Sequence, residues 1–89
     1  MSKIFVVLQK GDESRGIVEA IVDDNTAAEL EEHPALYRVT APGRMVIRRA
    51  SIEDHLGRPF DLHELQLYLV SLSGHVDESD EEFVLSWNA

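Results

Sequence analysis

The sequence predicts an α+β domain, and three observations predict it. An opening run of β-branched residues reads as a strand, a helical stripe follows it, and the second half returns repeatedly to strand-forming segments. The order strand, helix, strands, helix, strands also suggests two similar halves, although no internal repeat shows by residue matching. At 89 residues the chain is one domain, spanning 1–89. A chain of this size buries only about 60–65% of its unfolded surface. With 44% hydrophobic and 28% charged residues it has enough apolar side chains to fold.

The elements follow in order. Ile4 to Leu8 is an unbroken apolar run bounded by Gln9-Lys10-Gly11, read as a strand covered on both faces. From Ser14 the pattern turns helical: Ser14 or Asp12 can cap, and Ile17, Val18, Ile21 and Val22 form one stripe. Gly16 inside that helix costs up to about 1 kcal/mol relative to alanine. The helix closes on Asp23-Asp24-Asn25, with Asn25 expected to turn the chain in the left-handed region. A helix carboxyl end prefers cations, so these carboxylates either are solvated or face a basic partner.

Thr26 to His33 is ambiguous. Thr26 and Glu29 have capping-box spacing, while Ala28, Leu30 and Glu32 alternate as in an edge strand. Leu36 to Thr40 and Met45 to Arg48 are β-rich and flank Ala41-Pro42-Gly43-Arg44, where Pro then Gly suits a type II turn; a hairpin-like pair is predicted. Ser51 then starts a short helix, Ile52 to Leu56, with Gly57 as its stop. Leu62 to Leu72 carries both periods, which a helical start passing into a strand reconciles. Ser73-Gly74-His75 breaks the run, five of the six residues from Asp77 to Glu82 are carboxylates, and Phe83, Leu85 and Trp87 alternate in a last strand.

Chemistry is hard to find in this inventory. The chain has no cysteine, which removes disulfides, thiolate metal sites, iron–sulfur clusters and cysteine nucleophiles together. The histidines His33, His55, His63 and His75 are the ready proton shuttles, yet none stands in a recognisable site. His63-Glu64 lacks the second histidine of a zinc-protease helix. The Asp77–Glu82 stretch fails as a calcium loop because Glu82 stands where the sharp turn needs glycine. No nucleophile elbow, phosphate-binding glycine loop or dinucleotide fingerprint occurs. No catalytic residue, cofactor or metal is therefore assigned.

Eight Lys+Arg against seventeen Asp+Glu give a formal charge of −9, which disfavours nucleic acid and anionic membranes and suits a basic or mixed protein surface. Arg48-Arg49 is the chief basic spot, read first as structural ion pairs. The opening apolar run is too short to be a membrane span or a signal core, so a cytoplasmic protein is expected.

Several segments, in unbroken order, carry a resemblance: Ile17-Val18-Glu19-Ala20-Ile21 with Asp24-Asn25, Val46-Ile47-Arg48-Arg49 with Ser51-Ile52-Glu53, Phe60-Asp61-Leu62, Leu72-Ser73-Gly74, Val76-Asp77-Glu78 and Phe83-Val84-Leu85-Ser86-Trp87. The set resembles the coupling, or effector, proteins of bacterial multicomponent di-iron monooxygenases, on the phenol hydroxylase branch. That resemblance implies a compact single domain of two β-α-β-β-like halves, mostly antiparallel sheet with two or three short helices, and favours strand at Ala27 to Glu32. It implies a non-catalytic regulatory component without a cofactor. Such a component binds the di-iron hydroxylase of a phenol or aromatic monooxygenase and is linked functionally to its NADH reductase. It promotes oxygen activation and couples NADH oxidation to hydroxylation.

By alignment on Gly74 with the methane-oxidising relatives, the resemblance places partner-binding residues at Tyr68, Val70, Ser71, Leu72, Ser73, Gly74 and His75. Asp24 and Asn25 join them as candidates. Three departures stand out: the chain begins almost at its first strand, His75 replaces an Asn common in close relatives, and Thr26 to His33 is unusually acidic. The rival readings are a non-oxidative adaptor or assembly protein, and a small enzyme using His55 or His63.

Overall fold

The computed structural model describes residues 3–87, so Met1, Ser2, Asn88 and Ala89, the ends of the 1–89 domain reading, lie outside the described residues. Strand β1 (Lys3–Gln9) is followed by helix α1 (Ser14–Asp24) and strands β2 (Glu29–Glu32) and β3 (Leu36–Pro42). Then come β4 (Arg44–Arg48), α2 (Arg49–Leu56), a 3-10 helix (Leu62–Leu67), β5 (Leu69–Leu72), β6 (His75–Glu78) and β7 (Glu82–Ser86). All strand pairs are antiparallel. One sheet has the order β2-β3-β1-β5 and the other β4-β7-β6. The first half is therefore β-α-β-β within a single sheet, while the second half lends β5 to that sheet and builds the other from β4, β6 and β7.

A single core lies between the sheets and the helices. Ile4, Val6 and Leu8 of β1 meet Ile17, Val18 and Ile21 of α1, Tyr37 and Val39 of β3, Met45 and Ile47 of β4, and Phe83 and Leu85 of β7. The alternation of these residues on each strand is what one buried face requires. The expectation that β1 is covered on both faces needs correction. Val7, on the outer face, is buried at 8%, but Phe5 beside it is only half-buried, with the Arg38 guanidinium 4.2 Å from its ring centroid. The outer side chains of β1 are sheltered by their cross-strand neighbours on β3 and β5, completely at Val7 and partly at Phe5.

Helix α1 starts where predicted, but not by side-chain capping. Its N-cap is Glu13, with no side-chain cap bond. Buried Ser14 uses its hydroxyl on Gly11 instead, accepting that residue's N–H at 2.8 Å and donating to its carbonyl at 3.1 Å. Gly16 is where α2 crosses: a Cβ there would come within 2.7 Å of Leu56 Cδ2. At the other end Asn25 does not adopt the left-handed conformation, its φ being −128°. Its side chain is the reason. The amide donates to the Ile21 carbonyl at 2.7 Å and the Val46 carbonyl at 2.8 Å, and its oxygen accepts the Val46 N–H at 2.9 Å. Asn25 thus buckles the end of α1 to β4.

The predicted hairpin around Pro42-Gly43 also fails. Gly43 does adopt positive φ, +75°, but β3 pairs with β1 and β2 while β4 pairs with β7, so the chain changes sheets there. Helix α2 begins at Arg49, two residues before Ser51. Its N-cap Arg48 makes no side-chain bond, and the Arg49 N–H is taken by the Glu81 carbonyl at 2.9 Å, so the acidic turn does the work of a cap. Leu62 to Leu72 resolves into the helix-to-strand transition the two periods required. Asp61 and Glu64 form a reciprocal capping box at its start. The segment Asp77–Glu82 is the tip of the β6–β7 hairpin, where Ser79 Oγ accepts the Glu81 and Glu82 N–H groups. Trp87 falls one residue beyond β7 and is 45% exposed.

Replacing Asn25 with Ala should cost about 2–3 kcal/mol, because the partly buried Val46 N–H and two carbonyls lose their partner. For a domain of this size that lowers Tm by on the order of 10 °C. Asp24→Ala, at an exposed neighbour, should change stability by less than about 0.5 kcal/mol. Thermal melting followed by circular dichroism separates the two.

Candidate protein-docking face

Strand β5 is an edge strand, four residues long, and irregular. Val6 pairs with Leu72 and Val7 with Ser71, but Leu8 pairs with Leu69, so Val70 is the extra residue of a β-bulge. The bulge turns Val70 outward, leaving it 57% exposed. Leu67, at the end of the preceding 3-10 helix, is 67% exposed, and its carbonyl accepts from Gln9 Nε2 at 3.1 Å. Leu67 and Val70 are the two most exposed large apolar side chains among the described residues.

The predicted residues divide into those that face out and those that hold the edge in place. Ser71 is exposed; Leu72 is half-buried and packs on the core. Tyr68 ends the 3-10 helix, and its carbonyl accepts the Gln9 N–H at 2.7 Å. Ser73 clamps the strand end to Phe5 twice, donating its N–H to the Phe5 carbonyl and accepting the Phe5 N–H on Oγ, each at 3.0 Å. Gly74 has φ +91°, and a Cβ there would meet the Ser86 carbonyl oxygen at 2.9 Å and Ile4 Cγ2 at 3.0 Å. His75 opens β6, exposed, opposite Ser86. Asp24 and Asn25 belong to the α1–β4 junction, with no hydrogen bond or ion pair to Tyr68–His75 among the described residues. Sequence reasoning passed over Leu67. The signal that finds it is the three-residue period Leu62-Leu65-Tyr68, which turns position 67 outward on a 3-10 helix.

The remaining polar groups are largely engaged with one another. Arg48 and Arg49 pair with Glu82 and Glu81 of the acidic turn, at 3.5 and 2.8 Å. His33 and His63 lie beside Glu31 and Asp61, at 3.7 and 3.2 Å. No group of three or more His, Asp or Glu among the described residues is placed to hold a metal ion. A shallow hollow of about 180 Å³ lies along β2 and β3, lined by Lys3, Ala27, Glu29, Thr40 and Pro42, and gathers no histidine. No helix among the described residues is long and apolar enough to cross a membrane.

The family model of the MmoB/DmpM family matches residues 2–86. The chain belongs to that family. It is 41% identical over 86 residues to the stimulatory component DmpM of phenol 2-monooxygenase from Pseudomonas sp. strain CF600, a match covering 97% of this chain and 96% of that protein. The effector subunit of the alkene monooxygenase system of Xanthobacter autotrophicus strain Py2 is 31% identical over 78 residues, covering 85% of this chain and 77% of that one. A chain in the solved structure of a phenol hydroxylase–regulatory protein complex superposes with a TM-score of 0.91 at 41% identity, over 98% of this chain and 100% of its own length. As a member of this family the chain is a non-catalytic effector component of a monooxygenase system.

Two charge laces hold the helices of this family member together. At the start of α1, Arg58 binds Glu13 through Nε at 2.8 Å and through Nη2, and reaches Glu64 at 3.0 Å. The Arg58 hydrogen bond holds the Glu13 carboxyl below its ordinary range, and the Asp61 N–H and then Arg58 do the same for Glu64. At the other end His55 faces two acceptors, the Ser51 carbonyl at Nδ1 (3.0 Å) and Asp23 Oδ2 at Nε2 (2.8 Å). Only the doubly protonated ring donates to both. The His55 pKa is accordingly raised, first by the Ser51 carbonyl and then, against desolvation, by Asp23 and Glu19.

A raised folded-state pKa means the stabilisation is fully present below the unfolded value, about 6.5, and is lost as pH rises through the folded value. The melting-temperature advantage of the wild type over His55→Gln should therefore shrink between about pH 6 and pH 8. Asp23→Asn should reduce that dependence without abolishing it, since the Ser51 carbonyl remains. Paired melts across this range check both outcomes.

Proposed function

We propose that this chain docks through the β5 edge and Tyr68–His75 on the di-iron hydroxylase component of a phenol or aromatic monooxygenase. The observation that carries the reading is the bulge: in a short edge strand it puts Val70 beside Leu67 in solvent, and isolated apolar side chains gathered at a strand edge are what a partner covers. The relatives point the same way, being stimulatory and effector components. A component without reactive groups raises turnover by binding one state of the catalyst more tightly than another, and it shifts that population by the difference in affinity. In this reading docking reshapes the hydroxylase near its di-iron site, promotes oxygen activation and couples NADH consumption, through the reductase, to hydroxylation. The setting is cytoplasmic.

Reconstituting hydroxylase and reductase with and without this chain, and measuring product formed per NADH consumed, tests the reading. Addition should raise rate or coupling; no change at saturating protein would sink it. Val70→Ser and Leu67→Ser should each weaken the apparent affinity for the hydroxylase by about tenfold with melting unchanged, as truncated interface anchors do. Leu72→Ala, which opens packing on the core, should lower Tm as well. Ser71→Ala should alter turnover alone.

A further inference from the structure

Resting on that docking reading, we propose that Arg38, stacked on Phe5 in the open face of the four-stranded sheet, is the anchor for a carboxylate of the hydroxylase component. Lys10, Arg15, Arg48, Arg49 and Arg58 all hold carboxylates of this chain. Arg38 does not. Its direct cross-strand neighbour on β2 is Glu31, yet the Glu31 carboxylate lies by His33 and the Arg38 guanidinium lies 4.2 Å from the Phe5 ring centroid. The guanidinium carbon lies over the ring. The Arg38 N–H donors make no hydrogen bond among the described residues, in a chain with seventeen carboxylates.

The surroundings make this cation a recognition element. On β1, Val7 is its cross-strand neighbour, buried at 8%, and Phe5 its diagonal one, half-buried. Ser71 of β5 sits opposite Val7 on the far side, which continues the face to the bulged Val70 and the docking edge. A carboxylate brought against this patch meets a planar fork of donors already held in place by an aromatic ring, amid side chains that exclude water. Those are the conditions under which an Arg–carboxylate contact is both strong and directional. The chain as a whole, at −9, asks for a basic or mixed partner. A single carboxylate placed to meet Arg38 therefore fixes the register of the complex, since any shifted pose sets it against like charge. The occupant is thus a mixed surface of the hydroxylase component that sets one Asp or Glu against Arg38.

Titration of the cognate hydroxylase component with Arg38→Met tests this, because methionine keeps an unbranched apolar stem over Phe5 and removes the charge. Affinity should fall at least tenfold with Tm unchanged, and the salt dependence of binding should flatten relative to wild type. Arg38→Lys should bind between the two, keeping charge without the fork. Arg44→Met, which removes an arginine without an ion pair from the other sheet, should bind like wild type. Wild-type affinity for Arg38→Met, or an equal loss for Arg44→Met, would overturn the anchor while leaving docking standing. Failure of the wild type itself to bind would overturn both. Should Arg38→Met melt early, Arg38→Lys decides instead, since it keeps the charge and a long stem over Phe5 and removes only the fork: affinity equal to wild type would overturn the anchor.

Discussion

Two left-handed corners fix this architecture. At Gly43 and again at Gly74 the chain leaves the four-stranded sheet for the three-stranded one, both with positive φ, and both corners rest on the end of β7. The Gly43 carbonyl accepts the Trp87 N–H at 3.3 Å, and the backbone at Gly74 lies so near the Ser86 carbonyl that a Cβ would stand 2.9 Å from it. One core shared by two sheets requires such crossings, and a side chain at either φ would strain the turn. The proposed docking edge depends on the second corner. β5 ends where Gly74 turns, and Ser73, one residue earlier, fastens the strand to Phe5.

Much of this was legible in the sequence, because local periodicity reflects local burial. The stripe of α1 and the double period of Leu62 to Leu72 both report side chains that meet one core. Pairing partners were not legible. Pro42-Gly43 gives the same local signal whether its flanking strands fold onto each other or diverge into different sheets, and only long-range pairing with β1 and β7 decides. Strand β6 was hidden for a related reason: Val76 is its only apolar residue, so it exists by pairing with β7 rather than by propensity. Within the docking face the resemblance pointed to Val70, but its exposure comes from a bulge, which is a mismatch of register between two strands and has no signature in either one alone.

The charge distribution is the second layer of organisation. A net charge of −9 would burden so small a domain with self-repulsion, yet carboxylates do structural work at each helix end: Glu81 at the start of α2, Glu13 and Glu64 around Arg58, Asp23 against His55. Each exposed pair contributes little to stability alone. Their value is positional, since they tie the end of α1 to α2 and its start to the loop after α2 and to the 3-10 helix, and so keep the lead-in to β5 in one place.

The edges of the four-stranded sheet show how such a surface stays soluble while remaining available. An unpaired strand invites indiscriminate pairing, and the two edges avoid it differently. β2 is blunted by charge, with three glutamates among its four residues. β5 is blunted by shape: it is short and bulged, and its backbone register is spoiled as a template. Leu30 of β2 is 37% exposed between its glutamates, whereas Val70 and Leu67 at the bulged edge are exposed to 57% and 67%. The edge protected by a bulge is thus the one that exposes the most apolar surface, and in the proposed docking a partner must match its irregular shape, so that geometry rather than stickiness selects what binds.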